Sequence, residues 1–135
     1  MLLELEHHSG QPIYRQVIEQ IRQQIMAGQL SEGEQLMSVR ELAAQLNINP
    51  MTISKAYSLL ELEGLIQRHR GIGLFVAKLR KDQKERVKAK LLEEILRKAA
   101  VTAVQFGVSE EKVSQMLTSL YSRYNSKNRS HSNEQ

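Results

Sequence analysis

Only three residues, Asn47, Ile48 and Asn49, separate two stretches of helical apolar periodicity, and no other feature restricts the fold as much. The upstream stretch, "SVRELAAQL", opens with Ser38 and Glu41 in capping-box spacing, where each side chain can satisfy an orphan N–H of the first turn. Val39, Leu42, Ala43 and Leu46 form one apolar stripe along it. The downstream stretch begins with Asn49, a favoured N-cap, and Pro50, a favoured first helical residue. Ile53, Ala56, Tyr57 and Leu60 face inward, and Gly64 stops the helix. Two short helices joined this tightly form a helix-turn-helix.

The flanking segments extend that unit. Pro12 suits the first position of an upstream helix in which Ile13, Val17, Ile21 and Ile25 recur every four residues, with Tyr14 and Ile18 alongside, until Gly28. "GQLSEGEQL" is expected to be a plain connection. After Gly64 the period changes: "LIQRHRGIGLFVA" has two apolar-bearing runs around Arg70-Gly71-Ile72-Gly73, the pattern of a β-hairpin with a glycine turn. A long helix follows from about Leu79 to Phe106, and Gly107 breaks it. Ser109 caps a last helix that has Glu110 and Glu111 in its first turn and Val113, Met116, Leu117, Leu120, Tyr121 and Tyr124 at helical spacing. The expected fold class is mainly α with a small β-hairpin. A winged helix-turn-helix domain over 1–77 is followed by a two-helix dimerisation element over 78–124, because neither late helix can bury its stripe alone. The polar stretch 125–135 is expected to be a disordered tail.

Charge distribution narrows the partner. Residues 65–90 hold nine Lys and Arg against two acids, a surplus of seven positive charges, while the chain as a whole nets +4. No Asp or Glu occurs between Glu41 and Glu61. A basic block beside an acid-free block suits a polyanion, although a solvated basic helix would also carry such charges. With Ile53 inward, Met51, Lys55 and Ser58 project oppositely, flanked by Thr52 and Ser54. A helix laid in the major groove needs small or polar side chains over its N-terminal half, so that its backbone can approach base edges. Carboxylates there would meet phosphates, and none is present. The capped N-terminus is further expected to offer free N–H groups and its dipole to a phosphate.

Other classes find little support. Zero cysteine removes disulfides, thiolate nucleophiles and Cys-ligated zinc, and fits a reducing cytoplasm. "MLLELEHHSGQ" lacks the apolar run of a signal peptide, and no window has the length of a membrane span, so a cytoplasmic location without membrane contact is expected. Gly71-Ile72-Gly73 precedes no helix with a Lys-Ser/Thr pair, which argues against a nucleotide loop. His7 and His8 are adjacent, and His69 and His131 stand alone, without metal-ligand spacing. No motif places a nucleophile beside a base, so neither an enzyme nor a cofactor is expected.

The segment "LMSVRELAAQLNINPMTISKAYSLLELEGLIQRHRGIGLFV" closely resembles the DNA-binding domain of GntR-family transcriptional regulators. The "NPMTISKAY" run and the short C-terminal extension look like the YtrA-like subfamily. Specific motifs carry the resemblance over residues 10–77; over 78–124 it rests on length and helical character. It implies DNA contacts at Arg40, at Asn49, Pro50, Met51 and Thr52, at Ser54 and Lys55, and at the wing tip, Arg70 and Gly71. Plainer readings exist: Arg40 could pair with a carboxylate, Thr52 and Ser54 could be ordinary surface, and Arg70-Gly71 could be only a turn. Met37 stands where proline is usual and Met51 where a polar residue is common, departures that bear on the operator sequence. The expectation is a homodimeric repressor on a palindromic double-stranded operator, controlling a transporter operon and its own gene, with no effector assigned. A low-specificity, nucleoid-type DNA binder is the alternative.

Overall fold

The computed structural model describes residues 1–133, with side chains to residue 126. Its elements are α1 (Ile13–Met26), α2 (Val39–Leu46), α3 (Pro50–Leu62), β1 (Ile66–His69), β2 (Gly73–Val76), α4 (Lys81–Phe106) and α5 (Glu110–Asn133). Pro12 has extended backbone, φ −54° and ψ 144°, and so serves as the N-cap of α1 rather than its first residue. The chain divides into two compact units, Met1–Lys88 and a second starting at Ala89.

The first unit is a three-helix core with a wing. Val17, Ile21, Leu42, Ile53, Tyr57, Leu60, Leu65 and Ile66 are all fully buried, so α1 and α2 pack against α3 through the stripes legible in the sequence. Removing each such side chain from water contributes roughly 1.5–3 kcal/mol. Leu79, and Val87 in the first part of α4, pack against this same core. Tyr57 donates its buried hydroxyl to the Met37 carbonyl at 2.8 Å, so α3 holds the residue just before the cap of α2. Burial pushes the Tyr57 phenol well above the ordinary tyrosine range, with the Glu41 charge adding to the shift.

β1 and β2 pair antiparallel, from Ile66 opposite Val76 to His69 opposite Gly73. The segment 33–36, expected to be a plain connection, lies along the other edge of β2. Gly33 N–H donates to the Val76 carbonyl at 2.9 Å, Val76 N–H to the Glu34 carbonyl at 2.8 Å, and Leu36 N–H to the Leu74 carbonyl at 2.8 Å. Gln35 forms an isolated bridge with Phe75 there, and the Gly and Glu residues around it hide this pairing in the sequence, because its partner lies some forty residues downstream.

A second long-range feature covers α1. Gln16, Gln20 and Gln24 stand one turn apart and hold the backbone of the first six residues. Gln16 Oε1 accepts from Glu6 N–H and its Nε2 donates to the Glu6 carbonyl, both at 2.8 Å. Gln20 repeats this exchange with Glu4, and Gln24 donates to the Leu2 carbonyl at 2.6 Å. Four helical residues advance about 6 Å and two extended residues about 6.6 Å, so the rungs stay in register. Met1, Leu3 and Leu5 thereby turn toward the core.

In the second unit, Gly107 takes φ 70° and Ser109 Oγ accepts from Lys112 N–H at 3.1 Å, capping α5. Leu92, Ile95, Leu96, Met116, Leu117 and Leu120 are exposed in the single chain. The expected tail over 125–135 falls on the end of α5, whose backbone continues to Asn133 with no Gly or Pro to stop it; residues 134–135 lie outside the described residues.

Candidate nucleic-acid interface

The turn between α2 and α3 is built from local chemistry. Asn47 ends α2 in the left-handed conformation, φ 55° and ψ 51°, which asparagine tolerates better than most residues. Ile48 N–H donates back to the Ala43 carbonyl at 2.9 Å, and its side chain packs against the core, pinning the turn. Asn49 Oδ1 accepts from Met51 N–H at 2.9 Å, while Thr52 N–H donates to the Asn49 carbonyl at 3.0 Å. The free N–H groups expected here are therefore not available: Pro50 has none, and the cap occupies the next two. What remains is the helix dipole and the side chains.

Those side chains divide cleanly. Ile53, Ala56, Tyr57 and Leu60 are fully buried, while Met51, Ser54, Lys55 and Ser58 are exposed and Thr52 is half-buried at their flank. No carboxylate interrupts this face. The Lys55 ammonium lies 3.9 Å from the centroid of the Tyr14 ring on α1, a cation–π contact. A hydrogen bond from Arg15 and the Lys55 charge hold the Tyr14 phenol below its ordinary value. Reading along the chain singled out neither Tyr14 nor Arg15 for this surface. The available signal was a tyrosine and an arginine at the start of α1, whose partner lies forty residues away.

Arg40, in the first turn of α2, is exposed and makes no ion pair among the described residues, so the carboxylate partner considered for it is not there. The hairpin turn carries Arg70, Gly71 at φ 75°, and Ile72, all exposed. Two contacts brace this tip from behind: Gln35 Nε2 donates to the Ile72 carbonyl at 3.1 Å, and the His69 and Phe75 rings meet edge-on at 4.7 Å. Arg68 on β1 pairs with Glu61 on α3 at 3.4 Å, tying the wing to the helix. Asn49 thus caps α3 and Pro50, Met51, Thr52, Ser54 and Lys55 share its first two turns, while Arg40 and the Arg70-Gly71 pair lie elsewhere in the same unit. Among the described residues no group of three or more His, Cys, Asp or Glu could hold a metal ion, and no helix is long and apolar enough to cross a membrane.

Comparison with known proteins agrees with this architecture. The family described as "Bacterial regulatory proteins, gntR family" matches residues 13–76. The HTH-type transcriptional repressor YtrA of Bacillus subtilis is 36% identical over 83% of this chain and 86% of its own length. A GntR family transcriptional regulator from Listeria monocytogenes superposes with a TM-score of 0.74 at 30% identity, over 82% of this chain and 96% of that one. YtrA from Sulfolobus acidocaldarius, a GntR-family transcription factor, superposes with a TM-score of 0.54 at 28% identity, over 91% of this chain and 99% of that one. These relatives are transcription factors, not enzymes, and the chain belongs to the GntR family of transcriptional regulators, with a DNA-binding helix-turn-helix formed by α2 and α3.

Proposed function

We propose that this chain is a dimeric, sequence-specific repressor that acts in the cytoplasm on a palindromic operator. The observation that carries the reading is the outward face of α3, acid-free and small over its first two turns above a fully buried stripe. Laid in the major groove, that face brings Met51, Thr52 and Ser54 to base edges, with Asn49 and Pro50 fixing the entry of the helix. Lys55, Arg40 and the wing tip, Arg70 with Gly71, are assigned to the backbone phosphates, which position the protein without specifying sequence.

The exposed apolar residues of α4 and α5 support a dimerisation role for 78–124, since a second chain offers them cover. A two-fold dimer presents two recognition helices about 34–36 Å apart, one turn of DNA, and so calls for a palindromic site. The Bacillus subtilis relative is named a repressor; with the subfamily resemblance, this favours repression of a transporter operon and of the chain's own gene. Selecting bound fragments from genomic DNA and titrating the enriched operator against a scrambled duplex at fixed salt tests the reading. Preference for the operator by roughly 10³-fold or more is expected. A ratio near one indicates a low-specificity structural binder instead.

A further inference from the structure

Met51 is the one large apolar side chain on the DNA-facing half of α3, and 78% of it is exposed. Its direction is set locally: Asn49 fixes its N–H, and Ile53, two residues on, is fully buried. Its neighbours on that face are serines, a threonine and Lys55, whose ammonium is drawn toward Tyr14. Leu62 is comparably exposed at 82%, but it ends the helix, away from the N-terminal residues that reach base edges.

We infer that Met51 reads a thymine in each half-site through the C5-methyl group of that base. This rests on the docking of α3 in the major groove proposed above. A thioether donates no hydrogen bond and accepts only weakly, so it cannot replace the water it strips from the polar edges of guanine, cytosine or adenine. The apolar feature that the four ordinary bases display in the major groove is the thymine methyl. The flexibility of methionine lets it settle over that methyl without demanding an exact helix position. Met51 is thereby a specificity determinant, one that selects an A·T pair by contact rather than by hydrogen bonding.

The test uses the full chain and duplexes enriched from a random-sequence pool. Each thymine of the enriched site is replaced in turn by deoxyuridine, which keeps the pairing and removes only the methyl. One position per half-site is expected to lose affinity roughly fourfold per methyl, the equivalent of about 0.8 kcal/mol. Met51→Ala, a change on an exposed position, weakens the thymine site and abolishes the difference between thymine and deoxyuridine there, while Thr52→Ala leaves that difference intact. With 5-methylcytosine at the same step, affinity recovers relative to cytosine in the native chain and not in Met51→Ala. If every deoxyuridine is tolerated, or its penalty persists in Met51→Ala, the inference falls and the docking of α3 stands. If the chain enriches no sequence at all, both fall together.

Discussion

The Lys55 ammonium rests 3.9 Å from the centre of the Tyr14 ring, which joins the exposed face of α3 to the first turn of α1. The attraction comes from the ring face and not from the hydroxyl. Tyr14→Phe should therefore leave it intact, whereas Tyr14→Leu should lower the melting temperature by an amount that disappears when Lys55→Ala is already present. Thermal unfolding of the two single variants and the double variant measures the coupling. Strict additivity would show that the contact contributes nothing.

Tyr57→Phe removes the donor to the Met37 carbonyl from a fully buried position. A loss of about 1–3 kcal/mol in urea unfolding is expected, since the carbonyl is left without its partner. The pH dependence has a defined sign. Burial raises the Tyr57 phenol above its reference value of 10.0, so the folded chain holds that proton more tightly than the unfolded one. This contribution is complete below about pH 10 and is lost as pH rises beyond it. Above pH 10 the native chain should therefore lose stability more steeply than Tyr57→Phe.

Gly73 has φ 144°, and a Cβ there would lie 2.7 Å from Gln35 Nε2. Gly73→Ala is expected to displace the Gln35 amide, release the Ile72 carbonyl and cost about 1–3 kcal/mol, mostly from backbone strain. Gln35→Ala should loosen the wing tip without that strain. Hydrogen exchange around Ile72, compared with urea midpoints, separates the two effects: both variants exchange faster, and only Gly73→Ala is markedly less stable.

Contacts of α3 and the wing should differ in kind. Thr52→Ala is expected to weaken the true operator by about 1–3 kcal/mol and scrambled DNA hardly at all. Arg70→Ala should weaken both alike and flatten the salt dependence by about one phosphate contact. Titrations of both duplexes over a range of salt decide this. If Arg70→Ala changes neither duplex, the wing lies off the DNA.

A fragment of residues 1–88 keeps Leu79 and Val87 on the core and should fold. It lacks the apolar residues of α4 and α5 assigned to the dimer, so sedimentation should show a monomer. Without a tethered second half-site, operator affinity should fall by roughly 10²–10⁴. A dimeric fragment with full affinity would refute the role given to those helices. A fragment of residues 1–77 should be less stable than this one, having lost both packing side chains.

The elements that the sequence determined by itself are those whose causes lie within a few residues. The Ser38, Asn49 and Ser109 caps, the stops at Gly64 and Gly107, and the buried set Ile53, Ala56, Tyr57 and Leu60 follow from helical period and the hydrogen-bond needs of helix ends. The exposed face of α3 was legible too, because a stripe buried on one side leaves its opposite outward. The tertiary structure alone decided which distant groups meet. Segment 33–36 pairs with β2 only because the free edge of that strand offers it carbonyls and N–H groups, and residues 1–6 are held because three glutamines stand one turn apart on α1. Lys55 finds Tyr14, and Tyr57 finds the Met37 carbonyl, because helices folded onto one core bring side chains from far along the chain within a few ångströms. Local periodicity carries no record of such pairings, because each depends on the packing of a partner element that the residue's own neighbours in the chain do not specify.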